Sequence, residues 1–171
     1  MFRIGIIGAG WIAHKMTLAL GYTDEACVYA IASRSEDKAR SFAEEHGIPM
    51  AYGSYEAMLD DTEVDLVYIA TPHSHHFAHA MLALEHGKPV LVEKAFTANA
   101  NEAKILIDTA RNKGLFITEA IWTRYMPLSH KIREIMDSGI IGEPRIITAT
   151  LCYMMEHKER IVKPELCGGA L

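Results

Sequence analysis

Gly8-Ala9-Gly10-Trp11-Ile12-Ala13 has the spacing G-x-G-x-x-A. In such a turn the first glycine permits a tight reversal and the second lets the backbone approach a pyrophosphate. The small sixth residue lets the following helix pack closely on a strand. Trp11 and Ile12 would open that helix, whose unpaired N–H groups and partial positive charge suit an anion. Gly8, Gly10, Trp11 and Ile12 are therefore candidate dinucleotide-binding residues; the plain alternative is a strand–helix turn with no ligand. Ala32-Ser33-Arg34, with Lys38 one helical turn on, stands where a second strand should end. A site for NAD usually has Asp or Glu there, to accept from the ribose 2′-hydroxyl. Here Ser33 can donate to a 2′-phosphate, and Arg34 can bind it in a fork and stack on adenine. Glu36 and Asp37 are placed toward solvent on the next helix. These residues favour NADP, with NAD as the alternative.

Thr71-Pro72-His73-Ser74-His75-His76-Phe77-Ala78-His79 is the most unusual local sequence. His75 and His79, four residues apart, could share a helix face as metal ligands do. A third ligand is not close in sequence, and no metal site is assigned. The competing reading puts this segment after a fourth strand, at the carboxyl edge of a sheet where ligands bind in α/β folds. Thr71 and Pro72 would then line the nicotinamide side, with His73 and His76 beside them. The bland reading is a solvated helix start. Glu93-Lys94-Ala95-Phe96 follows a fifth strand, so Lys94 should project at the same edge, where it could hydrogen-bond a substrate hydroxyl. Burial there would lower its pKa into a range useful for proton transfer.

The elements that must position these groups are legible in the hydrophobic pattern. Apolar runs at 2–7, 27–32, 50–52, 65–70, 89–92 and 115–118 read as strands. Between them, helical spacing covers 12–20, 35–46 and 77–86, with a short helix after Ser54. Asn99 starts a further helix, with Glu102 three residues on in a capping-box-like pattern, and Gly114 stops it. This alternation predicts an α/β fold with a doubly wound parallel sheet of Rossmann type. Near residue 120 the rhythm changes: a helix at 128–138 precedes a longer strand at 145–152, then a polar stretch at 156–160 and Pro164. The predicted division is a nucleotide-binding domain at 1–120 and the incomplete start of a second α/β domain at 121–171.

Composition narrows the function classes. Of the 171 residues 50% are hydrophobic and the net charge is −5, which excludes a disordered chain. An acidic balance without a run of Lys or Arg argues against nucleic acid as a partner. The apolar stretch 4–13 carries Gly5, Gly8 and Gly10 and ends at His14-Lys15 with no small-residue cleavage site, so it reads as a strand and turn rather than a signal peptide. No membrane span is expected. Cys27, Cys152 and Cys167 form no CxxC pair and no complete disulfide framework, which fits a reducing cytoplasm.

Taken together, GAGWIA at 8–13, ATP at 70–72 with His76, GKPVLVEK at 87–94 and GEPR at 142–145 resemble the Gfo/Idh/MocA family (glucose–fructose oxidoreductase/inositol dehydrogenase). Glu119-Ala120-Ile121-Trp122-Thr123-Arg124-Tyr125 is most similar to its dimeric dihydrodiol dehydrogenase branch. The resemblance implies a Rossmann domain followed by an α/β domain whose open sheet carries substrate and dimer contacts. It further implies NAD(P)-linked oxidation or reduction of a sugar, polyol or dihydrodiol, and a homo-oligomeric full-length form. Lys94 would be the substrate-binding and proton-relay residue, and Trp122 and Arg124 would lie near the cofactor. Without the resemblance, Trp122 is a packing residue at a hinge and Arg124 a helix-start cation.

Two departures from the family pattern matter. Ala95 replaces a proline whose bond to the lysine is characteristically cis. A cis bond costs about 2.5–4 kcal/mol without proline and roughly 0.5–1 with it, so a trans Lys94–Ala95 bond is expected. In the family, Gly-Gly-Ala-Leu opens a segment that soon supplies an aspartate and a histidine to the active site; here it occupies 168–171, where the sequence stops. The expectation is the cofactor-binding portion of an NADP-dependent oxidoreductase, inactive alone. The competing readings are a non-catalytic nucleotide-binding or redox-sensing module and a metal-binding protein built on His73, His75, His76 and His79.

Overall fold

Six short apolar segments pair in parallel in the computed structural model, which describes residues 1–150, 152, 154, 162 and 163. The elements are β1 (Phe2–Ile7), α1 (Trp11–Leu20), β2 (Ala26–Ala32), α2 (Glu36–His46), β3 (Met50–Tyr52), α3 (Tyr55–Leu59), β4 (Leu66–Ile69), α4 (His76–Glu85), β5 (Val90–Val92), α5 (Ala100–Lys113), β6 (Ile117–Glu119) and α6 (Pro127–Asp137). Single 3-10 turns at His73–His75 and Trp122–Tyr125 precede α4 and α6. The strand order is β3-β2-β1-β4-β5-β6, every pair parallel. The doubly wound sheet is as the alternation predicts, with its topological switch point between β1 and β4.

Period-two alternation, broken in β2 by the register shift between Val28 and Ala30, divides the strand residues between two cores. Ile7, Val67, Ile69, Val90 and Val92 face α3, α4 and α5 through Met58, Ala80, Leu84 and Leu106. Ile4, Ile6, Val28, Ile31 and Tyr68 face α1 and α2 through Ala13, Phe42 and Ala43. The helix starts follow their caps: Ser35, Ser54 and Asn99 accept from the N–H groups of Lys38, Ala57 and Glu102. Glu102 reaches back to the Ala98 N–H at 3.2 Å, one residue earlier than a standard capping box.

Boundaries shift where local bonding overrides the apolar pattern. The sixth strand begins at Ile117 rather than 115, because the Leu115 N–H still closes α5 by donating to the Ala110 carbonyl at 2.9 Å. The strand expected at 145–152 is not formed over residues 145–150. No strand among the described residues lies beside this segment, and Ile146 and Ile147 are 87% and 79% exposed. Of the other late features, Gly168–Leu171, the polar stretch 156–160, Pro164 and Cys167 lie outside the described residues. Cys27 and Cys152 are free thiols. No helix among the described residues is long and apolar enough to cross a membrane.

Leu106 is the fully buried anchor of α5 on the sheet. Leu106→Ala should lower unfolding free energy by about 2–5 kcal/mol in urea titration. A loss under about 1 kcal/mol would contradict the packing described.

Candidate cofactor and active site

Five backbone hydrogen bonds extend the ladder one residue past the strand ends. Gly8 N–H donates to Ala32 O, Ser33 N–H to Tyr52 O, Ala70 N–H to Ile7 O, Glu93 N–H to Ile69 O and Ala120 N–H to Val92 O, all at 2.7–3.1 Å. The candidate residues that follow the strands are thus aligned along one carboxyl edge, the edge where α/β sheets bind ligands.

Gly8 has φ +105°, and a Cβ there would stand 3.0 Å from the Ala70 carbonyl oxygen and 3.0 Å from Thr71 Cγ2. Both conformation and contact require glycine. A Cβ at Gly10 would meet nothing within 4 Å; internal packing does not require that glycine, whereas close approach of a phosphate group does. α1 starts with no side-chain cap and no acidic residue in its first turn, so its leading N–H groups and dipole suit an anion. Ile12 is half-buried and Trp11 exposed, with Lys15 Nζ 5.6 Å from its ring centroid.

At the end of β2, Ser33 is buried and its hydroxyl accepts from Ser35 N–H at 3.4 Å. Arg34 and Lys38 are exposed, and no ion pair engages either among the described residues. Glu36 is exposed and paired with Arg40, as its helix position predicts. The end of β2 therefore offers a hydroxyl and two cations that no ion pair engages among the described residues. These groups fit a 2′-phosphate, and the glycine turn fits a pyrophosphate.

Among the described residues, the histidines at 73–79 do not bring three ligand atoms within 4.8 Å of one another. His76 is fully buried, with Nδ1 2.7 Å from Ala95 O and Nε2 2.9 Å from Thr71 O. It ties the loop after β4 to the loop after β5. A neutral ring can donate to one of these carbonyls and a protonated ring to both. His79 Nδ1 lies 3.0 Å from the Thr71 hydroxyl, with its ring edge-on to Tyr55. The His75 and His79 rings lie tilted with centroids 5.6 Å apart, and the His73 and His76 rings meet edge to face at 5.5 Å. Burial, then the positive charges of His75 and Arg34, push His79 down to about 4. Pro72 is exposed and starts the 3-10 turn.

Lys94 does project from the carboxyl edge, but it is exposed rather than buried, since no described element packs over it. Its neighbour Glu93 accepts from the Tyr68 hydroxyl and, at 3.1 Å, from Lys94 N–H. Burial first, and then the Glu93 carboxylate, raise the Tyr68 pKa. The Lys94–Ala95 peptide bond is cis, which corrects the expectation of a trans bond. The segment is held on both sides: Ala95 O by His76 and Phe96 N–H by the Glu119 carboxylate at 2.8 Å. Tyr68 and Glu119 escaped the sequence reading, because their roles depend on which strands are neighbours.

Trp122 is exposed and, with Tyr68, Leu91, Glu93 and Tyr125, lines an apolar groove of about 810 Å³ running down the α1 face of the sheet. Arg124, on the same 3-10 turn, is exposed and does not line it.

A parallel sheet of this order with a glycine turn at its switch point defines a dinucleotide-binding Rossmann domain. The Gfo/Idh/MocA profile, described as an oxidoreductase family with an NAD-binding Rossmann fold, matches residues 2–120, and the chain belongs to that family. It is 40% identical over 171 residues to trans-1,2-dihydrobenzene-1,2-diol dehydrogenase of Macaca fuscata fuscata, covering 99% of this chain and 51% of that protein. It is 50% identical over 129 residues to the D-xylose 1-dehydrogenase (NADP(+)) of Hypocrea jecorina, covering 70% of this chain and 33% of the relative. Among solved structures, a 3-ketoreductase from Actinomadura kijaniata in complex with NADP and TDP-benzene superposes with a TM-score of 0.75 at 35% identity, over 83% of this chain and 44% of that one. The chain spans about half the length of the dihydrodiol dehydrogenases it matches.

A histidine whose pKa is lowered on folding stabilises the fold above its ordinary value of 6.5 and loses that contribution as pH falls toward about 4. His79 should therefore remain neutral at pH 5.5 in an imidazole NMR titration; a midpoint near 6.5 would contradict the environment described.

Proposed function

We propose that this chain is the cofactor-binding portion of an NADP-dependent oxidoreductase acting on a carbinol of a sugar, polyol or dihydrodiol. The observation that carries the reading is the end of β2: Ser33, Arg34 and Lys38 stand there, with no ion pair engaging either cation among the described residues, beside a glycine turn that leaves room for a pyrophosphate. Residues 1–120 make the nucleotide-binding domain, and 121–171 begin a substrate and oligomerisation domain. The relatives named above support both the reaction class and the cofactor.

Gly8, Gly10, Trp11 and Ile12 would hold the pyrophosphate, with α1's first N–H groups as donors. Ser33, Arg34 and Lys38 would hold the 2′-phosphate. Thr71, Pro72, His73, His76 and Glu93 would border the nicotinamide end, with Trp122 and Arg124 beyond them. When bound, the nicotinamide supplies the hydride chemistry. Lys94 Nζ would hydrogen-bond a substrate hydroxyl and relay its proton. His76 acts through it as a positioning residue, by fixing the Ala95 carbonyl. The full-length form is proposed to work as a homo-oligomer in the cytoplasm, without nucleic-acid or membrane partners.

Two substitutions test the cofactor reading in the 171-residue chain. Gly10→Val should leave the melting temperature nearly unchanged but weaken NADPH binding by roughly a hundredfold, because the added methyls occupy the phosphate's approach. Arg34→Asp should weaken NADP binding by about tenfold or more, the scale of a lost charge-assisted bond, and leave NAD binding equal or improved. NADPH affinity unchanged in both variants by fluorescence titration would overturn the proposal.

A further inference from the structure

Away from the carboxyl-edge residues, α1 and α2 bring two imidazoles and a carboxylate together. His14, four residues past Gly10, presents Nδ1 at 3.0 Å from Nε2 of His46, the last residue of α2. Glu45 Oε1 lies 3.9 Å from that His14 nitrogen and 3.6 Å from that His46 nitrogen. We propose that these three atoms form a zinc site that clamps α1 to the end of α2.

The geometry fits the ion. A point equidistant from the three atoms lies about 2 Å from each, and Zn–N and Zn–O bonds are about 2.0–2.2 Å long. Ligand atoms in a tetrahedral zinc centre stand roughly 3.3 Å apart, so small ring rotations convert the observed triangle into one face of the tetrahedron. Two imidazoles and one carboxylate suit zinc better than magnesium or calcium, which take oxygen ligands. The fourth position opens toward solvent, since the Glu45 side chain is 65% exposed, and water can fill it.

The surroundings favour a cation. Two imidazole nitrogens in contact share one proton between them at most when neutral, and a metal ion satisfies both lone pairs at once. His46 ends α2, where the helix dipole is negative. Its side chain is only 7% exposed and packs on Phe42 at 4.5 Å between ring centroids, which fixes its orientation before any ion arrives. His14 N–H donates to Gly10 O at 3.1 Å, so a ligand bond to His14 would brace the first turn of α1. No second set of three ligand groups gathers this closely among the described residues.

Sequence spacing hides this site, because His14 and His46 are 32 residues apart. It is tested on the 171-residue chain by calorimetric titration with ZnCl2, with and without His14→Gln, Glu45→Gln and His75→Gln. Circular-dichroism melts check that each variant folds, and His14 and Glu45 are exposed enough to be replaced without opening a core. One ion per chain is expected, with affinity falling roughly tenfold or more in His14→Gln, falling less in Glu45→Gln, and holding in His75→Gln. Co2+ in place of zinc should give tetrahedral d–d bands that disappear in His14→Gln. Absence of stoichiometric zinc binding, or affinity that survives His14→Gln or falls with His75→Gln, would overturn the proposal.

Discussion

At Gly8 the chain leaves β1 with φ +105° and passes so close to the next strand that no side chain fits between them. The Ala70 carbonyl and the Thr71 methyl occupy the space a Cβ would need, while Gly8 N–H is bonded to the end of β2 and Ala70 N–H to the end of β1. One residue without a side chain thus joins three strand ends at the point where the strand order reverses. The start of α1, the position of Ser33 and the path of the loop after β4 all follow from that junction. A methyl group at residue 8 would push apart the two halves of the crevice in which such folds bind dinucleotides.

The other half of the site is braced by buried polar groups. His76 spans the loops after β4 and β5 through two carbonyls, Tyr68 holds Glu93, and Glu119 holds the Phe96 N–H. Buried polar groups that are fully paired rigidify their surroundings, and an unpaired one is costly. Here no buried side-chain polar atom lacks a partner among the described residues. The exposed Lys94 is therefore presented on a segment fixed by groups on β4, β6 and α4.

Much of this was readable from residue order. Alternation of apolar runs and helical spacing predicts six parallel strands, and the turn at 8–13 locates the switch point. The cations after β2 are visible because that position has a known chemical meaning. Long-range pairings were not legible. Tyr68 with Glu93, and His14 with His46, depend on which strands and helices become neighbours, and nothing local encodes that. The stretch at 145–150 reads as a strand because it is rich in Ile and Thr. Strand propensity describes a fit to a neighbouring strand, and no described strand lies beside it. The Lys94–Ala95 bond differs from expectation for a similar reason: isolated-peptide energetics favour trans, while the bonds of this segment to His76 and Glu119 are tertiary.

The central claim is that the carboxyl edge of this sheet, with its glycine turn and the Ser33, Arg34 and Lys38 groups after β2, holds a 2′-phosphorylated dinucleotide. Calorimetric titration of the unmodified chain with NADP+ and with NAD+ measures this directly. The account requires one site per chain and NADP+ affinity about tenfold or more above that for NAD+, reflecting charge-assisted bonds to the 2′-phosphate. Equal affinities, a preference for NAD+, or no saturable binding of either would contradict it.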